Sequence, residues 1–204
     1  MKISKVFLIG GPPFVGKSSV AHCIAGRYKC SCICTDDIVK AIRAVTTVQT
    51  HPGLHSVDDA DYQDYFTKTP VETLIEHSRR SHEIIWPGLE KIIRTHSTWD
   101  SPLVMEGYAL WPEQVMAADF VSTKAVWLTC DDQLFETRIR AQSSFFRGAA
   151  DKEGLLTNML RRSSRYNELM IASVVACGAI LIRVEVELSI EDVVDMCMVD
   201  LTGV

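Results

Sequence analysis

The residues that could do chemistry stand near the start of the chain, in Gly11-Pro-Pro-Phe-Val-Gly16-Lys17-Ser18. Two glycines, a lysine and a hydroxyl at this spacing meet the phosphate-binding pattern GxxxxGK[ST] at every position. Such a loop turns successive backbone N–H groups inward around an oxyanion. Gly11 and Gly16 permit the backbone angles and the close approach that this requires. Lys17 supplies a point charge to the terminal phosphates, and Ser18 offers a hydroxyl to Mg²⁺. With Ser19, these residues are the candidate nucleotide site.

The loop works only between a strand and a helix. Val6 to Ile9 form a short apolar run that suits a buried strand, and the run to Arg27 reads as a helix. The positive end of that helix would face the phosphates. Further along, Cys30 to Cys34 predict a second strand, and Asp37 to about Ala44 a helix capped by Asp37. Asp36 then lies at the carboxyl end of the second strand, the edge where open α/β sheets bind ligands. Pro102 to Glu106 predict a third strand ending in an acid, Ala125 to Cys130 a fourth and Ala179 to Val186 a fifth. Helices are expected between them. Apolar residues recur at helical spacing from Pro70 to His96, with Pro87 expected to kink or split that helix. Trp111 to Asp119 and Leu155 to Val175 read as helices, and Asp131-Asp132 and Ser189 mark two further helix starts. The fold class expected is α/β: a three-layer phosphate-loop NTPase fold, with a five-stranded mostly parallel sheet, helices on both faces and a helical lid.

The length of 204 residues suits a single domain, 1–204, with a substrate-side insertion at about 46–96 and a lid at about 136–165. Within that insertion, 46–67 has no clear periodicity and carries His51, His55 and the acidic residues Asp58, Asp59, Asp61 and Asp64. Apolar residues make up 47% of the chain, which excludes a disordered protein. A net charge of −5 speaks against a general nucleic-acid binder. No signal peptide or membrane span is visible, so a cytoplasmic protein that engages no membrane is expected. Seven cysteines are present. Cys30, Cys32 and Cys34 alternate along one face of a strand and, without a CxxC pair, read as reduced thiols rather than as a metal site.

Three kinds of phosphate-loop protein compete. A GTPase would carry NKxD after a strand, and Thr123-Lys124 lacks both its Asn and its Asp. Oligomeric ATPases are usually longer. Small kinases have a carboxylate after the second strand and arginines in a lid after the fourth, and this chain has both. Phosphoryl transfer needs in-line positioning, charge neutralisation and a carboxylate to receive the acceptor's proton. Asp36 is the candidate base, Glu106 a candidate Mg²⁺ ligand through water, and Arg138 and Arg147 the candidate γ-phosphate contacts.

Four segments carry a resemblance: Gly10 to Ser19, Thr35-Asp36-Asp37-Ile38 with Arg43, Leu54-His55-Ser56, and Val104-Met-Glu106-Gly107-Tyr108-x-Leu110-x-Pro112. In this order they resemble the 2-phosphoglycerate kinase family, small ATP-dependent kinases with the nucleoside-monophosphate-kinase-like fold. The resemblance implies ATP and Mg²⁺ as cofactors and phosphoryl transfer to a hydroxyl of a small acid or phosphorylated metabolite. It also implies substrate contacts from Asp36, Arg43 and His55, with a small molecule as partner and a monomer or homodimer as the assembly. Val39 and Lys40 depart from the family pattern, and so does the acidity of 51–65. An antibiotic or carbohydrate phosphotransferase, a toxin-type kinase and a nucleotide-binding regulator with little turnover therefore stay open.

Overall fold

The computed structural model describes residues 5–56, 62–99, 102–142 and 146–202. Five strands, β1 (Val6–Gly10), β2 (Ser31–Cys34), β3 (Leu103–Glu106), β4 (Thr123–Thr129) and β5 (Ile180–Arg183), form one sheet in the order β2-β3-β1-β4-β5. Every neighbouring pair is parallel. β1 lies at the centre and all five of its residues are buried, as a strand covered on both faces demands.

Helices cover both faces. They are α1 (Lys17–Tyr28), α2 (Thr35–Val45), α3 (Tyr62–Lys68), α4 (Val71–Thr98), α5 (Pro112–Ala117), α6 (Asp132–Arg140), α7 (Lys152–Cys177) and α8 (Ile190–Thr202), with a 3₁₀ turn at Pro52–Leu54. Alternation along β1 divides the core in two. Phe7 and Ile9 pack with Ile24 of α1 and Val194 and Cys197 of α8. Val6 and Leu8 pack on the other face with Ile85, Leu89 and Ile93 of α4 and Val115 of α5. Each such side chain contributes about 1.5–3 kcal/mol when fully buried. No described helix is long and apolar enough to cross a membrane.

α7 belongs to both cores. Leu155, Leu156 and Met159 join the first, and Tyr166, Met170 and Val174 the second. Asn167 ties it to the end of β4, accepting from Thr129 Oγ1 at 2.8 Å and donating to the Cys130 carbonyl at 3.0 Å. The middle of α7 is thereby held beside the carboxyl ends of the strands.

Several expectations need correction. α2 begins at Thr35 rather than Asp37, and Cys34, not Asp37, stands at the N-cap position. Asp37 is an exposed residue of the first turn that pairs with Lys40 at 3.3 Å. The long helix around Pro87 is continuous from Val71 to Thr98, with Pro70 as its N-cap. The segment read as aperiodic contains α3, because Tyr65 and Phe66 find partners only in three dimensions. Tyr65 Oη bonds His77 Nδ1 at 2.8 Å, and Asn158 Nδ2 donates to the Phe66 and Thr69 carbonyls at 2.6 and 2.9 Å. Asp58, Asp59 and Asp61 lie outside the described residues, and Asp64 pairs with Lys68 within α3. Asp131 and Ser189 do cap α6 and α8, the first through Leu134 N at 2.9 Å and the second through Asp192 N at 3.2 Å.

His82 sits on the buried stripe of α4 with 1% exposure, its ring 4.5 Å from that of Tyr108. Neither ring nitrogen has a hydrogen-bond partner among the described residues. Burial first, then the charges of Arg162 and Arg79, push its pKa down from 6.5 to about 3. The folded protein therefore keeps the ring neutral, while the unfolded chain takes up a proton as pH falls through 6.5. The stability that His82 carries is complete above that value and is lost toward pH 3, by at most about 1.4 kcal/mol per pH unit. Urea unfolding between pH 7 and pH 5 should show this loss, and His82→Leu should flatten the slope. An unchanged slope in the variant would remove His82 as its source.

Candidate active site

The loop after β1 ends on Gly16 at φ 97°, which serves as N-cap of α1 without any side-chain capping bond. Among the described α-helices, α1 alone has no acidic residue in its first turn. Its first amides and the positive end of its dipole are thus left for an external anion. Lys17, the first residue of α1, is 7% exposed and donates from Nζ to the Pro12 carbonyl at 2.8 Å. Burial pushes its ammonium below the ordinary 10.5, while the charges of Glu106, Asp36 and Cys34 oppose that shift.

Glu106 ends β3, is 2% exposed and accepts from Ser18 Oγ at 2.9 Å. A serine hydroxyl and a carboxylate side by side at the edge of a phosphate loop are hard oxygen donors of the kind Mg²⁺ prefers. The residues present therefore fit a nucleotide-bound Mg²⁺ held by Ser18 and Glu106. Cys34 of β2 is the register partner of Glu106 and stands beside this carboxylate. Its pKa is pushed up to about 12, by burial first and then by that carboxylate.

Asp36 lies in the first turn of α2, across from the loop. Burial pushes its carboxyl above the ordinary 3.8, Lys17 pulls it down and Glu106 pushes it up. Its Oδ1 is buried without a hydrogen-bond partner among the described residues. The placement depends on Gly107, whose φ is +154°. A Cβ there would lie 1.7 Å from Thr35 Oγ1, so glycine lets α2 start directly against the end of β3.

A residue that was not among the expected site residues is part of the same cluster. Arg162 is 6% exposed, and its charge is felt at Lys17, Asp36 and Tyr108. Its guanidinium lies between the rings of Phe66 and Tyr108, at 5.4 and 6.0 Å, and donates from Nη2 to Ser78 Oγ at 3.1 Å. Nε has no partner, and no carboxylate pairs with Arg162 among the described residues. A buried cation without a counter-charge is costly, and one at a ligand edge invites an anion. The signal was in the sequence: Leu155, Met159, Arg162, Tyr166 and Met170 fall on one apolar stripe, with arginine in the middle of it. Tyr108, which follows Gly107, was likewise passed over. Its hydroxyl pKa is pushed up to about 12 by burial and then by Asp36.

The other expected site residues divide. Arg138 reaches the loop, donating from Nη1 to the Phe14 carbonyl at 3.2 Å. It also borders a cavity of about 400 Å³ that runs from Gly16–Val20 to Val184, Leu188 and Val193. Ser19 lines that cavity and Gly11 opens the loop that ends there, so the space suits the rest of a nucleotide. Arg147 is not brought to the loop. It is exposed and lines a separate cavity of about 390 Å³ with Arg140, Phe146 and Lys152. Arg43 is close enough for its charge to act on Tyr108. His55 Nε2 is engaged with Thr46 Oγ1 at 3.0 Å, which ties the loop to the end of α2.

No family model matches the chain, and no curated protein matches it. Solved structures do. A putative kinase from Chloroflexus aurantiacus J-10-fl is similar with a TM-score of 0.54 at 11% identity, over 98% of this chain and 99% of that one. A gluconokinase from Sinorhizobium meliloti 1021 is similar at 0.52 and 15%, over 98% and 93%. A shikimate kinase from Bacteroides thetaiotaomicron is similar at 0.52 and 14%, over 95% and 96%. The likeness does not reach the narrower 2-phosphoglycerate kinase family that the motifs resemble. What it shows is the fold: an α/β domain with a five-stranded parallel sheet flanked by helices, as in the small-molecule kinases with a phosphate loop.

Proposed function

We propose that this chain is an ATP-dependent small-molecule kinase that transfers the γ-phosphoryl group to a hydroxyl of a small acid. The observation that carries the proposal is one cluster at the strand ends. Lys17, Ser18 and Glu106 gather on the phosphate-loop side, with a buried, unpartnered Asp36 oxygen and an uncompensated Arg162 on the other. A 2-phosphoglycerate-like acceptor is the finer form of this reading. It is supported by the motif resemblance and by Arg162 and Arg43, whose charges both act on Tyr108.

In this mechanism the loop amides and Lys17 hold the phosphate tail, and Arg138 closes over the loop. Ser18 and Glu106 would hold Mg²⁺, which supplies charge neutralisation on the phosphates when bound. Asp36 receives the proton of the acceptor hydroxyl as that oxygen attacks. Its raised pKa makes it a stronger base than an exposed aspartate. Arg162, whose buried Nε has no hydrogen-bond partner among the described residues, pairs with the acceptor's anionic group. The reaction belongs in the cytoplasm with a small molecule as partner.

Incubation with Mg²⁺·ATP and a panel of hydroxy acids, sugars and phosphorylated acids, followed by ADP release, tests the activity. Acid-stimulated release supports it, and none across the panel favours a regulator that binds nucleotide with little turnover. Asp36→Asn should lower kcat by a factor of about 10²–10⁴ with ATP binding retained. Because the Asp36 carboxyl is raised, the acid limb of kcat/KM should lie above 3.8, with activity lost as pH falls through it, and Asp36→Asn should lack that limb. Arg162→Gln should raise KM for the acid roughly tenfold or more while the Kd for ATP stays put. An unchanged acceptor KM would detach Arg162 from the acceptor.

A further inference from the structure

We propose that Ser78 is a positioning residue for the acceptor-binding arginine: its hydroxyl aims the Arg162 guanidinium and leaves the positive charge free for an anionic substrate. The proposal rests on the kinase reading, in which Arg162 meets the acceptor. Its basis is a two-step chain of hydrogen bonds across two helices. Arg162 Nη2 of α7 donates to Ser78 Oγ of α4 at 3.1 Å, and Ser78 Oγ donates to the Leu74 carbonyl one turn back at 2.9 Å. A hydroxyl has one proton and two lone pairs. The Leu74 carbonyl takes the proton, so the oxygen meets the guanidinium as an acceptor. Arg162 makes no other hydrogen bond among the described residues, and its Nε is buried without a partner.

Ser78 stands four residues after Leu74 and four before His82, which are both 1% exposed, so it belongs to the stripe by which α4 packs. A helix serine bonded only to the carbonyl one turn back does little for its own helix. Here the same oxygen takes a second bond, from a residue 84 positions away. The next arginine on α7 shows what the alternative looks like. Arg165 meets carboxylates, Glu72 of α4 at 2.9 Å and Glu168 at 3.0 Å, and its charge is spent between the helices. Arg162 meets a neutral hydroxyl from the same helix α4. A carboxylate at 78 would orient the guanidinium and cancel its charge, whereas a hydroxyl orients it alone. A guanidinium held in this way has given up part of its rotamer freedom before a substrate arrives.

The test is titration calorimetry with 2-phosphoglycerate as the probe and the phosphate loop saturated with Mg·ADP. The wild type should bind the probe, and Arg162→Gln should weaken it. Ser78→Ala should weaken it roughly three- to tenfold, with the Kd for Mg·ADP unchanged. Ser78→Thr, which keeps a hydroxyl able to make the same bond one turn back, should stay near the wild type. Ser78→Asp should weaken the probe more than Ser78→Ala does, because its carboxylate competes with the probe for Arg162. In an Arg162→Gln background Ser78→Ala should have no further effect, because the group it aims is gone. Wild-type binding by Ser78→Ala, an equal loss of Mg·ADP affinity, or additive losses in the double variant would overturn the proposal and leave the kinase reading in place. So would a Ser78→Asp protein that binds the probe better than Ser78→Ala, since that is what a merely structural bond between the helices requires. A wild type that does not bind 2-phosphoglycerate, or an Arg162→Gln protein that binds it equally well, would overturn the acceptor reading itself, and the proposal with it.

Discussion

The molecule depends on keeping one ammonium charged in a place that disfavours it. Lys17 is almost fully buried, and burial lowers the pKa of its ammonium. Two carboxylates, Glu106 and Asp36, oppose that shift, and the Pro12 carbonyl accepts from the ammonium. Each comes from a different element: β3, α2 and the loop itself. The charge can be kept only if β1, β2 and β3 end at the same level, which the unbroken parallel register among them secures. A phosphate arriving at the loop would meet a lysine already largely buried at the head of α1. The same burial that makes the lysine difficult to keep makes it effective.

A second constraint sets the opposite wall. α7 leaves one core and enters the other, and its crossing point lies at the strand ends. An apolar residue at that point would complete the stripe of the helix. Arginine stands there instead, between two aromatic rings and bonded to Ser78 of α4. Both rings lie within cation–π range of the guanidinium, whose buried Nε has no hydrogen-bond partner among the described residues. His82, one turn beyond Ser78 on α4, has no hydrogen-bond partner among the described residues and is held neutral by its surroundings. Polar groups left unsatisfied in such number around one spot are uncommon away from ligand sites. In fold terms, the site is assembled where the two cores meet above the sheet.

Much of this architecture could be read along the chain. The strand–loop–helix unit at 6–28, the acid closing β3, and the caps Asp131 and Ser189 each rest on residues within a few positions of one another. Local physics decides them: backbone angles open to glycine, side-chain oxygens within reach of the next turn, alternation matched to a pleat. Readings failed where the deciding partner was remote. α3 has no convincing period, and it forms against Asn158 and His77. α2 begins two residues earlier than its acids suggested, because Thr35 packs on Gly107 of a distant loop. Arg147 looked like a lid residue by its spacing after β4, but it lines another cavity, with Phe146 and Lys152.

The sequence by itself determined the phosphate loop, the parallel α/β class and the acid at 106, because their chemistry is written in short motifs and in hydrophobic runs. Tertiary structure alone decided which of Arg161, Arg162 and Arg165 turns inward and that His55 bonds Thr46. The physical reason is the same in each case. Direction of a side chain follows from where its helix or strand docks, and docking is settled by packing between elements far apart in the chain.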